Sequence, residues 1–451
     1  MKNEQMMREA PVWKLLFTMG LPVIVVMIVN VLYNMADVFF MGQTGETMQV
    51  AAISLAGPAF HIFSGLGTLF GAGACTAIAI ALGQGEREKV KEYTSFCTWA
   101  SVISGVIVAA AMILFMDPLL AMMGANAETE AFAKLYLGIV ALGSPLMMFS
   151  GALGNALRAD GSSSKVMLIS LAGTGVNILL DPLFILGFGW GIAGAAAATV
   201  LGNGVNTVLV VLYVRKSRVF SFSPRYFTLK KEVSLRIISL GLPMALGTVL
   251  MCFSSMFSNQ LLVKYGNIAV AANGVAGKAG MLVGMIVMGL CMGMQPVISY
   301  TYGTGDGGRM RRVLLTTGAA AVILSAFLGG LFLAGREFFV KAFLDDPQVL
   351  ETGKFMMLAL LGAPVGGIYQ LCSAYLQGTG KVSYAAVTSL LSKGLVYVPV
   401  LFAAEALGGL PGLVFAGVIT DVISTAIGAA LCVSWSKQSM SGSTVKAAVR
   451  A

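Results

Sequence analysis

Two acidic residues of this 451-residue sequence lie within long apolar stretches, and each has other polar residues close to it along the chain. Asp37 shares a helical face with Tyr33 and Asn34, and Asp181 follows Asn177 by one helical turn. An ionised side chain in such a stretch costs several kcal/mol on membrane-insertion scales, so each one needs a reason. Carboxylate, amide and hydroxyl groups at these spacings are typical of a site for a proton or a small cation.

The depth of these residues in their stretches brings them together. Asp37 and Asp181 each lie about five or six residues from the outer end of a stretch, roughly 8–9 Å at the helical rise. Tyr33, Asn177 and Thr199 lie slightly deeper, at about 12–15 Å. We therefore predict one coupling-ion site, with Na⁺ binding, if it occurs, at Asp37, Asn177, Asp181 and Thr199. In the alternative interpretation, the two acids only hydrogen-bond neighbouring helices.

The C-terminal half has a different set of charges. Lys393 and Asp421 lie at similar depth on adjacent antiparallel stretches, which favours an ion pair with a structural role. Lys278 has no evident partner in the sequence, and both a cavity-facing and an outward position are open to it.

Candidate substrate-contacting residues form stripes on two further stretches. Methionines recur on one helical face and continue to a glutamine, a flexible surface that suits ligands of many shapes, although a packing or lipid-facing stripe has the same pattern. A second stripe contains a tyrosine and a glutamine, and the single histidine reads as a cavity-wall or packing residue. The candidates are Met281, Met285, Met288, Met292, Gln295, Tyr369, Gln370 and His61.

Enzyme chemistry finds little support in the sequence. There is one histidine, and the six cysteines form no C-x-x-C or other ligand-like spacing. No stretch combines histidine with an acid or serine with lysine in a catalytic pattern. We expect neither an enzyme, nor a metal centre, nor a cofactor other than a coupling ion.

The elements that hold these residues must be membrane helices. The chain is 57% hydrophobic and 11% charged, whereas soluble domains carry about a quarter charged residues. Apolar runs of the length needed to cross a bilayer predict twelve transmembrane helices. They lie near 13–41, 50–82, 93–116, 132–157, 164–187, 191–214, 237–263, 269–302, 313–334, 353–376, 382–406 and 409–435.

The positive charges indicate orientation. Of the 29 Lys and Arg, 22 fall in the loops of one side, five on the other side and two within spans. The positive-inside rule makes the 22-charge side, with both termini, cytoplasmic. The opening segment reads as a retained cytoplasmic stub and not a signal peptide. The net charge of +9 is therefore a topology signal, and we expect no nucleic-acid partner.

Self-similarity at a spacing near 220 divides the chain into two halves of six spans. Gly20-Leu21-Pro22 recurs as Gly241-Leu242-Pro243, and VAAISLAG (50–57) recurs as VAANGVAG (270–277). The predicted fold is an all-α membrane protein of two pseudo-symmetric six-helix bundles, with lobes 1–214 and 237–451 and a cytoplasmic basic linker, 215–236. Two such bundles with substrate held between them are a transporter layout.

Several longer segments resemble one family of transporters. They are GLPVIVVMIVNVLYNMADVFFMG (20–42), GAGACTAIAIALGQG (71–85), ALRADG (156–161), NILLDPLFI (177–185) and MGLCMGMQPVISY (288–300). Together they resemble the multidrug and toxic compound extrusion (MATE) transporters over essentially the whole chain, with bacterial MepA-like members as the most similar branch.

The resemblance implies a twelve-helix secondary transporter in the cytoplasmic membrane. It implies export of drugs or organic cations in exchange for H⁺ or Na⁺, with Tyr33, Asp37, Asn177, Asp181 and Thr199 at the matching ion-site positions. We expect such a protein to work by alternating access and to function as a monomer in the bilayer. The alternative is a flippase for lipid-linked precursors of the same superfamily, although its anionic substrate calls for more cavity Lys or Arg than Lys278 and Lys393.

Overall fold

The computed structural model describes residues 2–55, 57–123, 125–126, 128–343 and 346–440, and these fold into helices joined by short turns. We number the helices in chain order. They are α1 Lys2–Glu9, α2 Val12–Gly42, α3 Thr47–Leu55, α4 Gly57–Gln84, α5 Arg87–Leu114, α6 Met116–Met122, α7 Glu130–Asp160, α8 Ser163–Gly187, α9 Gly191–Lys216, α10 Lys231–Val263, α11 Gly266–Thr304, α12 Gly307–Ala334, α13 Arg336–Lys341, α14 Pro347–Gly378 and α15 Val382–Lys437.

Within the described residues, eleven helices are long and apolar enough to cross a membrane. Ten correspond to one predicted span each, and α15 contains the last two. These two are separated at Gly409, whose φ of 58° and ψ of −139° interrupt the helix. Glycine adopts this conformation because it has no Cβ to clash with the backbone. The structure confirms the predicted class, an all-α membrane protein.

By their contacts the residues form two units, Val25–Ala245 and Met1–Ile24 together with Leu246–Ala451. The chain passes from one unit to the other inside α2 and again inside α10. Each passage follows a Gly-Leu-Pro sequence, at Pro22 and at Pro243, by two residues. The lobe boundaries drawn from the repeat, at 214 and 237, stay a prediction.

The unit Val25–Ala245 is built around α7, whose buried face packs against the neighbouring helices through a cluster that includes Leu137, Val140 and Ile192. Its α4 and α10 cross backbone to backbone. A Cβ on Gly241 would lie 1.8 Å from the carbonyl oxygen of Leu69. This contact has no room for any side chain, which explains glycine here.

The predicted basic linker packs onto α5 of this same unit. Trp99 donates from its indole nitrogen to the carbonyl oxygen of Phe222 (3.2 Å), and the Ser95 hydroxyl donates to that of Ser223 (3.0 Å). The Phe96 and Phe227 rings stack with centroids 6.1 Å apart. The segment between α9 and α10 is thus held on α5 by the contacts of residues 222–227.

The second unit contains the N-terminal helix and α11 to α15. Its core includes Leu262 on α10, Ala279 on α11 and Leu401 on α15. The buried Arg309 on α12 fixes the end of α1, because its guanidinium donates to the carbonyl oxygens of Met7 (2.9 Å) and Ala10 (3.1 Å). A cation at a helix C-terminus satisfies carbonyl groups that have no partner within the helix.

Three of the long helices contain a turn of π-helix. These turns are Leu16–Gly20 in α2, Leu183–Gly187 in α8 and Leu391–Leu395 in α15. The second follows Pro182, and the third contains Lys393. A π-turn widens the helix locally, and such turns are frequent at functional sites.

Candidate ion-coupling site

Three helices of the unit Val25–Ala245 carry the predicted ion site. α2 contributes Tyr33 and Asp37, α8 contributes Asn177 and Asp181, and α9 contributes Thr199. The hydroxyl groups of Tyr33 and Thr199 form a hydrogen bond of 3.1 Å, which ties α2 to α9. The carboxyl groups of Asp37 and Asp181 interact with each other, and Asp37 also interacts with Tyr33. Asn177 lies one helical turn before Asp181 on α8 and completes the cluster.

Four of the five side chains of the site are buried. Asp181 is 0% exposed, Thr199 1%, Asn177 2% and Asp37 8%. Two carboxyl groups at this burial cannot both remain ionised without a compensating positive charge, since each disfavours the charged form of the other. While the two carboxyl groups are buried in this way, a proton or a bound cation must therefore compensate their charge.

Five buried polar atoms of this cluster have no hydrogen-bond partner among the side chains that the structure describes. They are Oδ1 of Asp37, both carboxylate oxygens of Asp181, and the amide oxygen and nitrogen of Asn177. Buried polar groups are otherwise almost always paired, because an unpaired one costs about 1–3 kcal/mol. Carboxylate, amide and hydroxyl oxygens are also the donors that hard cations prefer, so the residues fit a small cation as well as a shared proton.

Glycines set the distance between the helices that carry the site. A Cβ on Gly202 of α9 would lie 2.8 Å from the carbonyl oxygen of Gly173 and 2.9 Å from the Cβ of Asn177. Asn203, one residue on, is held by the Ser150 hydroxyl of α7, which donates to its amide oxygen (3.2 Å). Small residues therefore let α8 and α9 touch at the level of the ion site.

The sequence reasoning missed Tyr136 on α7. Its side chain is buried and interacts electrostatically with Asp37, Asp181 and Tyr33. The signal in the sequence is weak, because Tyr136 stands among Ala133, Leu137 and Val140 on the buried face of an apolar helix and resembles a core aromatic. Its burial next to two carboxyl groups makes it a member of the site.

Two predicted residues cannot be placed. The side chains of Asn34, expected at the ion site, and His61, expected at a cavity wall, lie outside the described side chains.

The second unit has a cavity of about 380 Å³ that several candidates line. Tyr369 and Gln370 are on its wall, as predicted for substrate contacts, and so are Lys393 and Asp421. The charges of Lys393 and Asp421 interact, but no direct ion pair within 4 Å joins them among the described side chains.

The four methionines of the predicted stripe do not face this cavity. Met281, Met285, Met288 and Met292 are outside the lining of this cavity, whereas the intervening Val283 and Val287 contribute to it. Met281 is 54% exposed, and Gln295 at the end of the stripe is buried. Their predicted role in substrate binding stays a prediction.

Lys278 has a neighbour that the sequence did not indicate. Its exposed side chain places Nζ over the ring of Phe343, 4.7 Å from the centroid, a cation–π contact. Lys278 does not line the cavity that holds Lys393.

Two stretches of the chain match one protein family. Residues 22–183 and 243–402 each match the family model described as MatE, and together these stretches are most of the chain. The two matches begin at residues 22 and 243, which are 221 residues apart, close to the spacing of the repeat in the sequence.

Two bacterial multidrug export proteins are similar to this chain over nearly its full length. The chain is 32% identical over 426 residues to the multidrug export protein MepA of Staphylococcus aureus (strain NCTC 8325 / PS 47), which covers 93% of this chain and 94% of that protein. It is 31% identical over 428 residues to MepA of Staphylococcus saprophyticus, which covers 94% of both chains.

Solved structures share the fold. A crystal structure of MATE in the bent conformation superposes with a TM-score of 0.90 at 23% identity, covering 97% of this chain and 99% of that one. An outward-facing multidrug resistance MATE family transporter gives a TM-score of 0.89 at 23% identity, covering 95% of this chain and 96% of that one.

Proposed function

Because this chain belongs to the MatE family, we propose that it is a multidrug efflux transporter that exchanges its substrates for a cation bound at Asp37 and Asp181. The substrates are small organic compounds, mostly cationic and amphipathic. The protein works by alternating access, functions as a monomer, and requires no cofactor besides the coupling ion.

The export function is supported by the named relatives, which are multidrug export proteins matched over more than nine-tenths of this chain. The charge distribution supports a position in the bacterial cytoplasmic membrane with both termini in the cytoplasm, since 22 of the 29 basic residues fall on that side.

The observation that carries the coupling proposal is the buried pair of acids with its unpaired atoms. A proton or Na⁺ entering from outside is shared by Asp37 and Asp181, compensates one of their two negative charges and gives the orphaned oxygens a partner. Occupancy favours the state that releases substrate outward, and loss of the ion to the cytoplasm resets the site. Each charge that moves down the membrane potential supplies about 2.3 kcal/mol per 100 mV.

The test measures ethidium efflux from proteoliposomes under separately imposed proton and sodium gradients. We expect the full chain to export ethidium under one of the two gradients, and the Asp37→Asn and Asp181→Asn variants to lose most of this transport while reaching normal amounts in the membrane. Asparagine keeps the shape of each side chain but cannot release a proton or carry the negative charge.

Asp117→Asn is the matched control, since Asp117 is an acid of the same unit that is 75% exposed and pairs with Lys134. It should transport like the unmodified chain. Gradient-driven efflux that persists in either buried-acid variant contradicts the coupling site, and absence of efflux under both gradients in the unmodified chain contradicts the export function.

A further inference from the structure

The cavity of the unit that contains residues 246–451 has the dimensions of a ligand site. Its volume of about 380 Å³ falls in the range of roughly 300–1,000 Å³ that holds small organic molecules. Part of its wall is main chain without side chains, because several of the lining residues are glycines. The glycines on this wall are Gly277, Gly280, Gly284, Gly362, Gly366, Gly367 and Gly417.

Two opposite charges face this space. Lys393 and Asp421 both line the cavity, both side chains are partly accessible, and no ion pair within 4 Å joins them among the described side chains. The Asp421 carboxylate lies against Gly366, where a Cβ would be 3.1 Å from Oδ2. Each charge therefore keeps hydrogen-bonding capacity toward the cavity.

The wall around the two charges is held in place. The Tyr369 hydroxyl hydrogen-bonds the Ser392 hydroxyl at 2.5 Å and donates to the carbonyl oxygen of Thr388 at 3.2 Å. Ser254 donates to the main-chain carbonyl of Lys393, which lies in the π-turn of α15. The ammonium group thus extends from a fixed and locally widened helix.

The charge balance of the cavity selects among ligands. A ligand with a single positive charge is attracted by Asp421 and repelled by Lys393, so the two effects oppose each other. A ligand with both a carboxylate and a cationic nitrogen gains a charge-assisted hydrogen bond at each end.

We propose that this cavity is a second binding site, which takes amphoteric organic molecules with the carboxylate at Lys393 and the cationic nitrogen at Asp421. The proposal rests on the proposed export function, because it names one class of exported compound.

The experiment uses two dyes with the same ring system. Rhodamine 110 carries a free carboxylate, and rhodamine 123 is its methyl ester and carries only the positive charge. Their binding to the purified full-length protein is measured by fluorescence anisotropy without any ion gradient. We expect Lys393→Gln to weaken rhodamine 110 about tenfold, the effect of one charge-assisted hydrogen bond, and to leave rhodamine 123 no weaker.

Two further variants complete the design. Asp421→Asn should weaken both dyes, because both carry the cationic nitrogen. Lys278→Gln is the control, since it removes a lysine of the same unit that lies outside the cavity. It should bind both dyes like the unmodified protein.

A filling variant tests the location without changing charge. A Cβ at Gly280 has no atom within 4 Å, so Gly280→Leu should enter the cavity and weaken both dyes. Unchanged binding in Gly280→Leu, or an equal effect of Lys393→Gln on the two dyes, overturns the proposal. Because binding is measured without a gradient, its failure is separate from a failure of ion-coupled efflux.

Discussion

Thr199 shows how a single hydroxyl can serve both structure and ion binding. It is 1% exposed and joins α9 to α2 through the 3.1 Å hydrogen bond with Tyr33, next to the carboxyl groups of Asp37 and Asp181. A hydroxyl oxygen is a ligand for Na⁺ but has a smaller part in a site that only passes a proton. Substitution at this position therefore separates the two coupling ions.

We expect Thr199→Val to raise the Na⁺ concentration for half-maximal exchange about tenfold if Na⁺ is the coupling ion, since it removes one ligand and one hydrogen bond worth about 1 kcal/mol. Thr199→Ser keeps the hydroxyl and should remain near the unmodified value. The measurement is efflux from proteoliposomes at graded Na⁺. Equal behaviour of the two variants under a sodium gradient excludes the hydroxyl as a ligand.

At this scale the sequence predicted which polar residues lie together, and their role as an ion site stays a prediction. Polar residues in apolar spans are rare, so residue type and depth identify Asp37, Asp181 and Thr199 as candidates for one site. The same criteria do not identify Tyr136, because a tyrosine on a buried helical face has the pattern of a core residue. The position of Lys393 and Asp421 on a cavity wall was also beyond the sequence, since spacing gives depth and face but not how far two helices stand apart.

At the scale of elements, glycine decides how close the site helices come. Gly202 and Gly204 are two residues apart on α9, yet only Gly202 faces α8: a Cβ there would be 2.8 Å from the Gly173 carbonyl oxygen, whereas one on Gly204 has no atom within 4 Å. The composition alone, 55 glycines, could not distinguish such positions.

We expect Gly202→Ala to force α8 away from α9 and displace Asn177, at a cost of about 1–3 kcal/mol for overpacking. Both the thermal unfolding temperature of the purified protein and its ion-coupled efflux should fall. Gly204→Ala is the matched control and should retain both. An unfolding temperature and efflux rate for Gly202→Ala equal to those of Gly204→Ala would show that the helices adjust without loss.

The boundaries of the elements followed from the sequence with one informative exception. Apolar length and the breaks between runs predicted the spans, because a helix that crosses a bilayer must satisfy its own backbone. The final two spans are continuous in α15 apart from Gly409, since no run of charged residues separates them and one glycine with a positive φ makes the break.

At the scale of the molecule, the basic residues should set the orientation. The test uses a variant without the native cysteines, into which one cysteine is introduced at a time. The cysteine replaces Lys230 on the predicted cytoplasmic side or Gln348 on the predicted outer side. Both positions are exposed. A membrane-impermeant maleimide added to intact cells should label Gln348→Cys, and should label Lys230→Cys only after lysis. The reverse pattern would overturn the predicted topology.

The two-fold repeat is the property of the whole chain that the sequence predicted best. Motifs in the same order in both halves required similar structures, and the family model matches each half once. The packing of residues 217–227 against α5 did not follow from the sequence, because a basic, polar segment between spans has the composition of a free loop.

The two passages between the units have a mechanical consequence of their own. The chain passes between its two units only at residues 24–25 and 245–246, inside α2 and α10, each time just after a proline. Proline cannot donate a main-chain hydrogen bond, so a helix is softest where one lies in its interior. Both passages thus lie just after a residue that weakens the hydrogen-bond pattern of its helix. Local bending of α2 and α10 is therefore easiest close to the two points where the chain leaves one unit for the other.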